Sequence, residues 1–219
     1  SEMCIRDRYG LYKLNGSSFE PIREFDGLNT NINDFAIDDG CLYYAVSIPF
    51  ASSSSITRYD PDTQSEEVIA SYDGEIYGIC VGNGKVYMST YDDYYNNAFI
   101  LQCDIQGGEV TGLAGIKDMR GFIDSAAVQC YAPTTMQFYN DQLYFMDYNV
   151  LRKIIFEDEG IQSVTVAGIP SAQFDDTLID GAQPCSDVTL SEFNKNFVVT
   201  PEKIYMTDTY NGYILSITE

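Results

Sequence analysis

The sequence predicts an all-β fold, a β-propeller built from four-stranded antiparallel blades, on three observations. An aliphatic-Tyr step recurs at Leu42-Tyr43, Val86-Tyr87, Leu143-Tyr144 and Ile204-Tyr205. Each step follows a short apolar run and a tight turn. The composition leans the same way, because 18 Tyr and 12 Phe in 219 residues favour pleated, half-buried surfaces.

Each element of the repeat has a local reason. The steps lie about 44 to 61 residues apart, which fits a blade of roughly 40–50 residues plus loop insertions. The first strands open at Phe35, Ile79, Met136 and Phe197, eight residues before each anchor Tyr. The turns that follow are Asp38-Asp39-Gly40, Gly82-Asn83-Gly84, Tyr139-Asn140-Asp141 and Thr200-Pro201-Glu202. Gly, Asn and Asp supply the positive φ or side-chain turn bonds that a hairpin needs. Third strands start at Ile56, Ile100, Leu151 and Ile214, and fourth strands are expected at 67–70, 109–111 and 163–166. No helical periodicity competes with this pattern.

The ends of the pattern are ragged. Gly10–Leu14 matches a third strand and Phe19–Ile22 a fourth, with no first or second strand before them. Residues 1–8 resemble a translated sequencing adaptor, as found on environmental gene fragments, and are set apart as a non-native leader. Residues 9–219 then form a single propeller domain. Its blades fall at about 9–24 (partial), 33–71, 77–114, 134–168 and 195–218 (partial). Closure into a small ring and a segment of a larger propeller both fit. The adaptor-like start favours a segment of a six-bladed or larger propeller.

From Leu113 onward the residues are more specific. Leu113-Ala114-Gly115 is followed by Gly121-Phe122-Ile123-Asp124, and Val166-Ala167-Gly168 by Asp180-Gly181-Ala182. Tyr144 to Ile154 and Tyr205 to Ile214 carry a tyrosine, aspartate, asparagine stretch ending in an aliphatic strand. This stretch, about 113–217, resembles the NHL-repeat family, with Val150 and Gly212 where that family usually has His or Arg. Residues 9–112 are more similar to a generic secreted-type bacterial propeller, which implies a secreted or cell-envelope location.

Composition excludes several chemistries. The chain has no His, so a Ser-His-Asp triad, a Cys-His pair and a His-bound zinc are impossible within it. A net charge of −21 makes nucleic acid an unfavourable partner. No apolar run reaches the roughly 18 residues of a membrane-spanning helix, so no membrane insertion is expected. The cysteines form no C-x-x-C pair. Cys130 and Cys185 fall at similar places in successive repeats, and a disulfide between them is one reading.

The candidate contact surface comprises Asp92, Asp93, Tyr94 and Tyr95, with Arg120, Asp124, Asp175, Asp176 and Asp180 from the long loops entering first strands. Long loops on a rigid scaffold often carry function. Asp147, Asn149, Asp208 and Asn211 end second strands and read as structural turn caps, ahead of a Ca²⁺ site. No cofactor is expected. The function expected is a non-catalytic scaffold that holds a protein, peptide or glycan on a loop face. The alternative is a carboxylate- or cation-dependent propeller enzyme, a lyase or lactonase-like hydrolase.

Overall fold

The computed structural model describes the chain except residues 1–2, 8–9, 25–29, 49–52, 93–96, 172–180, 192–195, 210–211 and 219. Its described residues form five sheets in which sequence neighbours are sheet neighbours. The first contains β1 (Met3–Asp7), β2 (Gly10–Asn15) and β3 (Ser18–Glu24). The second contains β4 (Asn31–Asp38), β5 (Cys41–Ile48), β6 (Ser53–Asp60) and β7 (Ser65–Tyr72). The third contains β8 (Gly78–Gly82), β9 (Lys85–Tyr91), β10 (Ala98–Asp104) and β11 (Thr111–Ala114). The fourth contains β12 (Pro133–Tyr139), β13 (Gln142–Asp147), β14 (Val150–Glu157) and β15 (Gly160–Ala167). The last contains β16 (Phe197–Val199), β17 (Ile204–Asp208) and β18 (Tyr213–Ile217). Among the described residues no helix is long and apolar enough to cross a membrane.

The anchor residues set one register throughout. Tyr43, Tyr144 and Tyr205 stand opposite Ala36, Gln137 and Val198 on their first strands. On their third strands they stand opposite Arg58, Lys153 and Ser216. The hairpin turns before them hold both central residues at positive φ: Asp39 and Gly40 at 45° and 74°, Asn83 and Gly84 at 49° and 69°, Asn140 and Asp141 at 50° and 58°. That is the geometry a two-residue hairpin prefers. Pro201 cannot adopt it. There the Thr200 hydroxyl closes the turn instead, accepting from the Lys203 amide at 3.2 Å and donating to its carbonyl at 2.7 Å.

Two elements differ from expectation. The fourth strand of the third sheet is Thr111–Ala114, not 109–111. Gly107 and Gly108, at φ 94° and 144°, prolong the turn, and the Gly108 amide is drawn to the Ile69 carbonyl at 3.1 Å. The second difference is β1, which pairs with β2 from Met3↔Leu14 to Asp7↔Gly10, where the repeat pattern left no strand. An open sheet edge offers unpaired backbone groups to any extended segment, so the pairing needs no blade-like sequence.

By compactness the chain divides into two units, Ser1–Met88 with Gln102–Thr111, and Ser89–Leu101 with Gly112–Glu219. In the first, Leu11 of β2 packs with Ile32, Leu42 and Tyr44 of the second sheet. In the second, Tyr144, Met146 and Leu151 of the fourth sheet pack with Val199, Ile204, Met206 and Ile217 of the last. Leu42 and Tyr44, Tyr144 and Met146, and Ile204 and Met206 lie two residues apart on their strands and so enter these cores from one face, as a period of two requires.

Candidate functional site

Within the second unit the connection from β11 to β12 is a loop folded back on itself. Gly115 turns the chain out of β11 at φ 102°, where an added Cβ would run into the Ala98 carbonyl. Only glycine fits there. Gly168 repeats the arrangement after β15 at φ 101°, with the Cβ position 2.7 Å from the Asn149 carbonyl oxygen. These are the glycines of the two Ala-Gly linkers. Amides of Gly115, Gly121 and Gln129 then donate to the carbonyls of Val128, Cys130 and Ile123, doubling the loop.

Arg152 holds the base of this loop. It is fully buried, between Val150 and Ile154 on the same face of β14. Its Nη1 donates to Asp147 Oδ2 and to the Gln129 carbonyl, both at 2.7 Å. Its Nη2 reaches the Ile123 carbonyl at 2.8 Å, Asp124 Oδ1 at 2.8 Å and Ser163 Oγ at 3.0 Å. A guanidinium buried this way is tolerable only because its donors meet acceptors.

Asp147 also accepts from the amides of Tyr131 at 2.9 Å and Ala132 at 2.7 Å. Burial pushes its carboxyl above the usual carboxylate range, against the opposing pull of Arg152 and those amides. Asp124 accepts further from the Thr165 amide at 2.7 Å and from the Thr165 and Ser163 hydroxyls at 2.6 and 2.8 Å. Burial works upward on Asp124 too. The hydrogen bond from Thr165 and the Arg152 charge together outweigh it and hold the carboxyl below its ordinary value.

Above this base lies an aromatic stack. The Arg120 guanidinium sits 3.4 Å from the centre of the Tyr131 ring, and its Nε donates to the Tyr131 carbonyl at 2.6 Å. The Phe122 ring stacks on Tyr131 at 4.8 Å with an interplanar angle of 12°. Tyr148, at φ 61° in the β13–β14 turn, tilts against Tyr131 at 5.1 Å. All four residues are half-buried. Met119 and Ile123 on the same loop are 51% and 47% exposed.

The residues expected from sequence are thus placed unevenly. Arg120 belongs to the stack. Asp124 is drawn into the Arg152 network, so its carboxylate is committed to the protein. Asp92 closes its own loop, its amide donating to the Asn97 carbonyl at 3.0 Å and its carboxylate accepting from Asn97 Nδ2 at 2.9 Å. Asn149 is buried and donates to the Ile169 carbonyl at 3.3 Å. Asp208 is buried and its carbonyl accepts from Gly212 at 2.9 Å. Asp93, Tyr94, Tyr95, Asp175, Asp176, Asp180 and Asn211 lie outside the described residues. Cys130 and Cys185 are both free thiols. Burial, together with the Asp147 charge, pushes the Cys130 thiol well above its usual value, leaving it little thiolate character.

Sequence reasoning missed Arg152, Phe122, Tyr131 and Tyr148. A charge flanked at i−2 and i+2 by Val150 and Ile154 was a readable sign of a buried guanidinium. The stack had no periodic signal. Among the described residues no three His, Cys, Asp or Glu side chains gather as a metal site would need.

Among solved structures the chain is similar to a gluconolactonase from Xanthomonas campestris, with a TM-score of 0.64 and 12% identity over 100% of this chain and 68% of that one. The fold is that of the β-propellers. The chain also resembles an extracellular domain assigned to a hybrid two-component system of B. thetaiotaomicron, at TM-score 0.57 and 12% identity. That match covers 100% of this chain and 26% of the other, so the chain spans about a quarter of that relative's length. An oligogalacturonate lyase from Vibrio parahaemolyticus matches at TM-score 0.50 and 10% identity, over 100% of this chain and 62% of the lyase. No family model and no curated protein matches the chain. Its propeller neighbours include enzymes as well as an extracellular domain.

Proposed function

We propose that this chain is a non-catalytic binding scaffold of NHL-like type, whose β11–β12 loop holds a protein or peptide segment. One observation carries the reading: the half-buried Arg120–Tyr131–Phe122 stack, bordered by Tyr148 and by exposed Met119 and Ile123. Arg, Tyr, Phe and Met are the types enriched in interface cores. Stacking and the Gly115 turn hold them in place, which lowers the entropic cost of binding. The carboxylates nearest the stack, Asp124 and Asp147, spend their lone pairs on Arg152 and on backbone amides. That leaves them poorly suited to general acid or base work.

A random-peptide phage library panned on the chain tests this. Enriched peptides are expected to lose at least tenfold in affinity with Tyr131→Ala or Phe122→Ala, a loss of about 1.4 kcal/mol. Peptides indifferent to both changes, or turnover of gluconolactone by the chain, would sink the reading.

A further inference from the structure

Ile22 of β3 and Ile69 of β7 hold the same place in their sheets, each skipped where the register shifts against the preceding strand. What lies over them differs. The β10–β11 turn, six residues at 105–110, runs over Ile69. Its Gly108 amide meets the Ile69 carbonyl at 3.1 Å, and a Cβ on Gly107 would stand 3.0 Å from the same oxygen. Ile69 is left 6% exposed. The β6–β7 turn beside Ile22 has only four residues, 61–64. Pro61 brings no N–H, and the Asp62 and Thr63 amides turn back to Asp60 Oδ1 at 2.9 and 3.3 Å. The shorter turn does not close over Ile22, and a cavity of about 520 Å³ remains.

The cavity continues the core of the first unit. Leu42 belongs to both, and Ile22 and Tyr59 border both. Ile37, Leu42 and Tyr59 form one row across the second sheet, because Leu42 stands opposite each of the other two. Pro21 and Pro61 add flat apolar rings to the lining. Ile37 is 51% exposed, so the cavity is reachable from solvent. Its volume falls within the roughly 300–1,000 Å³ of small-molecule sites, and its mainly apolar lining is of their kind.

We infer that this cavity, between the first and second sheets, is a binding site for an uncharged aromatic small molecule of two or three rings. Aliphatic side chains, proline rings and the Tyr59 ring offer flat apolar contact and suit an aromatic body. The two charged side chains in the lining, Lys13 and Glu20, stand opposite each other on β2 and β3, so their charges offset. No net charge is left there to repay the desolvation of an ionic ligand. A chain charge of −21 further disfavours an anion. Where the seam is closed, as over Ile69, the Gly107-Gly108 turn takes the place that the ligand takes beside Ile22.

The probe is N-phenyl-1-naphthylamine, an uncharged dye that brightens in apolar surroundings, held at fixed concentration while the 219-residue chain is titrated in. A single hyperbolic rise is expected, with a Kd of about 10 μM or tighter. The sulfonated analogue ANS, with the same aromatic body and a negative charge, should bind several-fold more weakly. Ile37→Trp fills the cavity from its exposed side and should weaken the uncharged dye about tenfold with melting unchanged. Ile37→Asp needs no new space and should weaken it as much, so a fold lost in one variant leaves the other to decide. Ile214→Ser, which removes an apolar side chain 75% exposed on the last sheet, should leave the titration as it was. The inference is overturned by a titration with no rise, by equal affinity for ANS, or by a rise that survives in a folded Ile37 variant. A rise that Ile214→Ser abolishes overturns it too, because the dye would then report the last sheet.

Discussion

The fourth and last sheets invite comparison because they share a register and differ in what surrounds it. Tyr144 and Tyr205 stand at the same position, as do Leu151 and Ile214, yet one pair is buried and the other exposed. The third strands diverge one residue further on, with Arg152 in the fourth sheet and Leu215 in the last. Around Arg152 the protein assembles two carboxylates, two carbonyls and a hydroxyl, which tie the β11–β12 loop to the sheet. Around Leu215 there is only partial apolar packing. Strand and hairpin formation thus follow from local pattern, while a fixed loop needs a buried polar anchor. A loop pinned at its base can present Arg120, Phe122 and Tyr131 without paying their ordering cost again on binding.

Making the fourth sheet more like the last should break this difference most severely. Arg152→Leu copies the residue of the last sheet but strands Asp147 in the core without its cation. The expected loss is on the order of 3–5 kcal/mol, read from urea unfolding by far-UV circular dichroism. Arg152→Lys should rescue little, because an ammonium lacks the planar fork that meets acceptors on both sides. A variant within about 0.5 kcal/mol of the parent would mean that the network is incidental.

A smaller effect is expected where the linker leaves β15. Gly168→Ala places a methyl against the Asn149 carbonyl in a backbone region hostile to L-residues. A cost of roughly 2 kcal/mol should follow. Gly181→Ala, also at positive φ but with open space around its Cβ position, should cost less. Thermal melts of the two variants separate collision from backbone strain, and equal losses would remove collision from the account.

Much of the fold was legible because strand period, turn residues and anchor spacing are local properties. The register of Tyr43, Tyr144 and Tyr205 follows directly from the run-turn-step pattern. Strand β1 was not legible, because an edge strand pairs through its backbone and leaves no side-chain signature. The burial of Tyr144 and exposure of Tyr205 could not be read either, since identical patterns have different neighbours. In the site, Arg120 was visible as a loop cation. Its partner Tyr131 lies across the doubled loop and Tyr148 in another hairpin, so no spacing rule joins them. Asp124 looked like a surface acid because its five contacts come from β14 and β15, far along the chain.

The smallest expected effect separates the two carboxylates that share Arg152. Asp124 has its carboxyl held below the ordinary value, so its ionised form favours the fold. Its contribution is complete above the unfolded-state value of about 3.9 and fades as pH falls through the lower folded value. Asp147 is pushed the other way by burial, so its protonation does not add to that loss. Asp124→Asn should therefore cost about 1 kcal/mol near neutrality, a modest figure because the carboxylate is 32% exposed. The gap between Asp124→Asn and the parent should narrow below about pH 4 as the parent's carboxylate protonates. Urea midpoints of both proteins at pH 7 and pH 3 measure it. A gap unchanged between those two pH values would mean that Asp124 holds the loop by hydrogen-bond geometry alone. Its charge would then add nothing that an amide in the same place cannot supply.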